Sequence, residues 1–254
     1  MRRSWPALVC AALGAVCAAG AAQADWKARY SLEMLGQTAG ELELEMSSDR
    51  QAGDYTLSAS MAPRGLARWF IREEVRERSS GRLGDAVEPR HYLFERSGGD
   101  EPVTHRFTLG SERIRVTGHE DVESLPAPNK LQDNLSYLER LRRHLAQTPR
   151  QPLVLPILDG DKARVYENRF EVEGEETIDT PHGEYATLRV RRTSSRGKYE
   201  HWLWCAPALD YLPVRLVRQK RDGGNRGDLR LREYREHDPH AGRPLDEPAS
   251  TREE

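Results

Sequence analysis

The sequence predicts a mainly β protein. The expected architecture is a strongly curved antiparallel sheet, a half-barrel or open barrel, with one main α-helix against or inside its concave face. Three observations predict it. Apolar and polar residues alternate along most of the chain, turn signals recur between the alternating runs, and a single segment carries a sustained helical spacing of leucines. The 254 residues are 37% hydrophobic and 31% charged, which allows one domain with a full core. Mean hydropathy is -0.79.

The N-terminus reads as a secretory signal peptide over residues 1–24. Arg2 and Arg3 supply a positive start, Ala7 to Ala22 is apolar, and Ala22-Gln23-Ala24 is a small-x-small cleavage site. The apolar run is shorter than a membrane span and turns polar at Asp25. Cys10 and Cys17 each follow a Val rather than the small residue that lipid attachment needs. Without residues 1–24 the chain has one cysteine, Cys205, and a net charge of -4. A lone thiol forms no internal disulfide and reads as a small buried hydrophobe. The expected location is the periplasm, and no later stretch reaches membrane-spanning length.

Strands follow in order. In Glu41–Met46 the apolar Leu42, Leu44 and Met46 alternate with Glu41, Glu43 and Glu45, as one buried and one wet face require. Tyr55, Leu57, Ala59 and Met61 repeat the pattern, as do Ile114 and Val116, Leu188 and Val190, and Leu229 and Leu231. Two-sided burial in a parallel sheet gives continuous apolar runs instead, so the strands are expected to be antiparallel. Turn signals at Gly36–Gly40, Ser97–Asp100, Pro181–Gly183 and Asp222–Asn225 join the runs into a meander of about ten or more strands.

Leu131, Leu135, Leu138, Leu141 and Leu145 predict the helix, over about 132–147, with Asp133 as N-cap and Pro149 and Pro152 beyond its end. At about 100° per residue these leucines share an arc of about 120°, broad enough to lie on a sheet. Arg142 falls inside that arc, either as a stem snorkelling at the helix edge or as a charge placed in a cavity. Gly65–Phe70 is a second, shorter helical candidate. His237–Glu254, with three prolines and few apolar groups, reads as a disordered tail after a single domain over 25–236. One short helix cannot cover ten strands, so the sheet must curl.

Chemistry is sparse. A net charge of -2 excludes a general nucleic-acid binder, although 34 arginines stand against 5 lysines. The sequence contains no nucleophile elbow, zinc-protease helix, phosphate loop or Cys-x-x-Cys. His237 and His240 have metal-ligand spacing but lie in the tail, so no metal or cofactor is expected. His201 and Cys205 share a strand face, yet four residues at about 3.3 Å each keep them about 13 Å apart, against the ~3 Å a catalytic dyad needs. Trp202 and Trp204 point the other way, into the core or toward a cavity. No catalytic residue is therefore assigned.

Three stretches carry a family resemblance. Asp133-Asn134-Leu135-Ser136-Tyr137-Leu138 runs into Leu141 and Arg142, and Thr180-Pro181-His182-Gly183-Glu184-Tyr185 leads into Thr187–Val190. Trp204-Cys205-Ala206-Pro207 precedes Tyr211–Leu216. With Tyr30, Gly36 and Gly40 in the opening strand pair, the chain resembles domain of unknown function 3108, a family of exported bacterial proteins, over residues 26–236. That family has no assigned activity, so the resemblance transfers no catalytic residue. It implies a fold similar to the periplasmic lipoprotein-localisation carriers, whose bent sheets curl around a helix and hold acyl chains. The functional expectation is a non-enzymatic binding or carrier module for a lipid or acyl chain. Its site would comprise Trp202, Trp204, Tyr185, Leu188, Val214, Leu135, Leu138 and Arg142. The alternatives are a structural or protein-interaction factor of the envelope with a filled interior, and a hydrolase.

Overall fold

The length of one linker dictates the shape of the sheet. The computed structural model describes residues 25–236 apart from 35, 50, 66, 68–71, 196, 224 and 225. The signal-peptide reading, the tail, and Trp69 and Phe70 of the short helical candidate all lie outside the described residues. The strands are β1 (Trp26–Met34), β2 (Gln37–Asp49), β3 (Asp54–Pro63), β4 (Glu74–Leu83), β5 (Val87–Ser97), β6 (Val103–Leu109), β7 (Arg113–Thr117), β8 (Ser124–Pro126) and β9 (Gln132–Asp133). The helix α1 (Ser136–Gln147) follows, then β10 (Leu153–Asp159), β11 (Arg164–Thr180), β12 (Gly183–Ser194), β13 (Tyr199–Ala206), β14 (Leu212–Lys220) and β15 (Arg226–Glu236). All fifteen strands form one sheet, running from β8 in order to β1, then β15 and in order back to β9. The pairings are antiparallel except β9 with β10.

The two edge strands, β8 and β9, are consecutive in sequence and joined by residues 127–131. A flat sheet of this width would put them about 65 Å apart, whereas the linker spans at most about 20 Å. The sheet must roll up. It rolls past closure, like a scroll. The inner faces of β5–β7, carrying Tyr92, Phe94, Phe107, Ile114 and Val116, pack on Leu158, Ala163 and Val165, around the far end of β10 and the start of β11. Leu153, Leu155 and Ile157 of β10 face the main core instead. The strand is thus buried on both faces only at its far end, by Leu158, while Val154 on the second face stays exposed.

Alternation sorts the rest. Val172, Val190, Leu203, Leu216 and Leu229 form one cross-strand row on the concave face. The wet face carries an ion-pair lattice in which Glu43 bridges Lys27 at 2.6 Å and Arg29 at 2.9 Å, and Arg29 reaches Glu233 at 2.9 Å. Arg189, Arg191 and Arg215 are likewise paired across neighbouring strands, with Glu173, Glu200 and Asp228.

The helix is shorter than its leucine spacing predicts. It starts at Ser136 rather than about 132, because Gln132 and Asp133 pair with Ile157 and Leu158 as β9. Asp133 still caps it, from outside the helix: its Oδ1 accepts the backbone N–H groups of Leu135 (2.9 Å) and Ser136 (2.8 Å). Those are among the donors that a helix start leaves without partners.

Candidate functional site

The sequence-selected residues divide between the two faces of the sheet. Leu135 and Leu138 of the helix segment are 3% and 6% exposed and sit with Leu141 and Leu145 in the concavity, in the same apolar core as Leu188 and Val214, with α1 lying nearest β5, β9 and β10. Those four positions of the expected site belong to one core, whose space the helix occupies.

Trp202 and Trp204 are placed differently from the expected concave position. In the register, Trp204 stands between Arg189 and Arg215, and Trp202 between Arg191 and Val217, in rows that alternate with the concave row through Leu203. Both belong to the opposite, ion-paired face. Trp204 is 6% exposed even there. The Arg215 guanidinium lies 4.6 Å from its ring, and its indole N–H donates to Glu176 Oε2 at 2.8 Å. Trp204 packs, as strand aromatics do, but under the Arg215 guanidinium rather than in a ligand space. Tyr185 lies where the β11–β12 hairpin projects beyond the β13 pairing. It stands cross-strand to Ile178, with its hydroxyl 2.5 Å from His182 Nδ1.

Arg142 is at the rim. Its Nε donates to the Asp210 carbonyl at 2.9 Å, its Nη1 pairs with Glu139 at 3.1 Å, and its guanidinium lies 5.3 Å from the Trp26 ring. These groups line an open cavity of about 560 Å³ together with Met46, Leu83, Asp25, Asp54 and Glu236. Asp210 and Tyr211 both have positive φ, 49° and 60°. Each such non-glycine residue costs on the order of 1 kcal/mol, and this turn presents the Asp210 carbonyl to Arg142.

A buried polar cluster, which sequence reasoning missed, lies where the scroll overlaps. Ser79 Oγ donates to Asp133 Oδ2 at 2.6 Å and lies 3.0 Å from the Tyr55 hydroxyl. Glu77 Oε1 accepts from the Tyr92 hydroxyl and from Asn134 Nδ2 (3.4 Å). Burial pushes the Glu77 carboxyl up to about 7. The hydrogen bonds from Tyr92 and Asn134 oppose that rise, and the charges of Asp133 and Asp159 add to it. Burial raises Asp133 as well, against its four hydrogen bonds. The signal was present in β4, whose Glu-Val-Arg-Glu-Arg-Ser-Ser-Gly has almost no apolar alternation. A strand without an apolar face, inside a rolled sheet, must put something polar inward.

The His201–Cys205 pair stays apart here. Between β12 and β13 the register runs unbroken from Leu188–Cys205 to Arg192–His201, so His201 and Cys205 stay four extended residues apart. Cys205 is fully buried, and burial pushes its thiol up to about 12. Burial, then Arg192 and Arg218, hold His201 down to about 3. A thiolate nucleophile and a poised base are thus both disfavoured. Among the described residues no group of three or more His, Cys, Asp or Glu converges for a metal ion, and no helix is long and apolar enough to cross a membrane.

Together these features define a class: a rolled, barrel-like single sheet with a helix in its concavity. The chain belongs to the family described as protein of unknown function DUF3108, whose model matches residues 26–230. It is similar in fold to the crystal structure of a beta-barrel-like protein of the DUF1849 family from Brucella abortus. That match has a TM-score of 0.60 and 13% identity over 84% of this chain and 98% of that one. A candidate lipoprotein from Parabacteroides distasonis aligns at a TM-score of 0.37 and 9% identity, over 84% of this chain and 96% of that one. A candidate exported protein with a YmcC-like fold from Bacteroides fragilis aligns at 0.36 and 11%, over 84% and 97%. No curated protein matches the chain by sequence.

Proposed function

We propose that this is a non-enzymatic binding or carrier module of the bacterial periplasm, made with a cleaved leader over residues 1–24, that takes a lipid or acyl chain into the concavity now filled by α1. One observation carries the reading. The concave face is apolar in both halves of the sheet except along β4, and its occupant is a helix of 12 residues with one apolar stripe. Leu135, Leu138, Leu141 and Leu145 present to the sheet what an acyl chain would present, a flexible aliphatic surface with no polar demand. Ligand and helix would compete for one space, and Leu188 and Val214 would serve either. Arg142, at the rim, would meet an acidic headgroup, while Trp202, Trp204 and Tyr185 would support the wall rather than touch ligand.

The test is recovery of lipid. Delipidated protein incubated with envelope extract and repurified should carry lipid by mass spectrometry. Recovery no greater than for an unrelated periplasmic protein defeats the reading. A second reading, an envelope structural or protein-interaction factor, is favoured by the depth of the helix: Leu141 and Leu145 are each 1% exposed. It predicts no lipid at any concentration and a protein partner retained in a pull-down from the same extract.

A further inference from the structure

Resting on the binding reading above, we infer that the overlap of the scroll is the gate to the concavity: β4–β8 lift as a leaf from β9, α1 and β10, and an apolar chain enters between them. Elsewhere the sheet is held by continuous backbone ladders. Across the overlap, between β4–β6 and β9–β10, the contacts are made by side chains. Ser79 donates to Asp133, and Asn134 to Glu77. Gln132 Nε2 donates to the Val87 carbonyl at 3.0 Å. His105 Nδ1 lies 2.8 Å from the Gly160 carbonyl, so this nitrogen carries the proton, and Arg96 pairs with Asp161 at 2.5 Å.

Three features mark this boundary as one built to part. First, its hydrogen bonding is incomplete. Gln132 Oε1 and Arg96 Nε are buried without partners, and a partly satisfied network holds less firmly than a complete one. Second, two carboxyl groups from opposite sides, Glu77 and Asp133, share the buried cluster through Ser79 and Asn134, so ionisation of both opposes closure. Ser79 and Tyr92 from the leaf, Tyr55 of β3, and Asn134, Ser136, Asp159 and Tyr137 from the other side are the other polar or titratable groups that bear on the pair. Third, the fit is close. A Cβ at Gly160 would stand 2.7 Å from the Tyr92 ring and 2.8 Å from Phe94 Cβ. The overlap closes only because residue 160 has no side chain. The 127–131 linker tethers the leaf while the faces separate.

Hydrogen exchange on the chain from Asp25 onward, which carries Cys205 alone, tests the gate, with cis-parinaric acid, a fluorescent polyene fatty acid, as ligand probe. Amides of residues 131–138 should exchange at least about ten-fold faster than those of β1 and β2. Arg96→Cys with Asp161→Cys, joined by a short bismaleimide, should slow residues 131–138 at least about ten-fold against the same protein before coupling. Cys205 can stay, being fully buried. Gly160→Ala should speed that segment and leave β1 and β2 unchanged. If coupling leaves exchange at 131–138 unaltered, the gate is refuted whatever the probe does. If coupling slows exchange but the uncoupled protein takes up no probe, the gate stands and the lipid reading falls. If the coupled protein takes up probe as fast as the uncoupled one, the ligand enters elsewhere and the gate is overturned.

Discussion

Replacing Glu77 by Gln should change how stability depends on pH more than it changes stability at acid pH. The carboxyl's folded-state value of about 7 lies above its ordinary 4.5. The folded protein therefore holds this proton more tightly than the unfolded chain does. Between those two values the native state is protonated while the unfolded state is not, so stability falls as pH rises through the window. Below about 4.5 both states are protonated and the group is silent. Above about 7 both are ionised, and the full cost of the buried charge is present. A shift of this size corresponds to at most about 3.4 kcal/mol. Glu77 keeps part of its surface accessible, so about 1–2 kcal/mol is the expected loss for the wild type.

Glu77→Gln mimics the protonated acid. Its amide oxygen can still accept from Tyr92 and Asn134, and no charge develops beside Asp133. Urea unfolding followed by tryptophan fluorescence, from about pH 4.5 to about pH 8, makes the comparison directly. The two proteins should be of similar stability at the acid end and diverge steadily as pH rises to about 7, above which the variant stays ahead by about 1–2 kcal/mol. His201, held at about 3, titrates below this window, and the other groups are common to both proteins. Parallel curves would refute the reasoning, because they would mean that Glu77 titrates normally and the cluster carries no trapped proton.

Three further outcomes follow from packing and hydrogen bonding. Leu141→Ala, at 1% exposure, should lower unfolding free energy by about 2–5 kcal/mol; a loss below about 1 kcal/mol would show that α1 is not part of the folded core. Trp204→Phe should cost about 1 kcal/mol through the lost indole N–H bond to Glu176, and a Glu176→Gln background should shrink that cost in a double-mutant cycle. Cys205 should resist a thiol reagent in native buffer and react promptly in denaturant, because its thiol is buried and raised to about 12; rapid native labelling would contradict the packed position.

Much of the fold was legible in the sequence because the signal is local. Glu41–Met46 alternates, and its Leu42, Leu44 and Met46 are buried as the alternation requires. The turn at Pro181–Gly183 connects β11 to β12, and Ser97–Asp100 connects β5 to β6. What was not legible depended on the roll of the sheet. Alternation states that Trp202 and Trp204 share a face, but only the register with Arg189, Arg191 and Arg215 states which face. The helix start was misplaced because Gln132 and Asp133 found strand partners 25 residues away in sequence, and long-range pairing overrides local spacing. Glu77 was invisible for a related reason: with Arg76 and Arg78 beside it, nothing in its neighbourhood distinguishes an inward acid from a solvated one.

The scroll also explains why the overlap, rather than the helix, is the weak boundary. A closed barrel would have joined its edges by a backbone ladder and left no free strand. Here the edges remain, but β8 has three residues and β9 two, too short to template another chain. The protein thereby avoids an aggregation-prone edge without closing. The consequence is a difference in strength. Each fully buried helix leucine contributes about 1.5–3 kcal/mol, so removing α1 from the sheet costs several such terms together. A neutral side-chain hydrogen bond contributes about 0.5–1.5 kcal/mol net, and in the overlap some of that is offset by Glu77 facing Asp133. The aromatic contacts of β5–β7 resist separation, yet they cover only the far end of β10 and the start of β11. Opening should therefore begin at the polar end of the overlap, beside Ser79 and Asp133, where the first turn of α1 is fastened by the same carboxylate that Ser79 touches. Loosening that carboxylate loosens both the leaf and the helix start, which couples access to the concavity to release of its occupant.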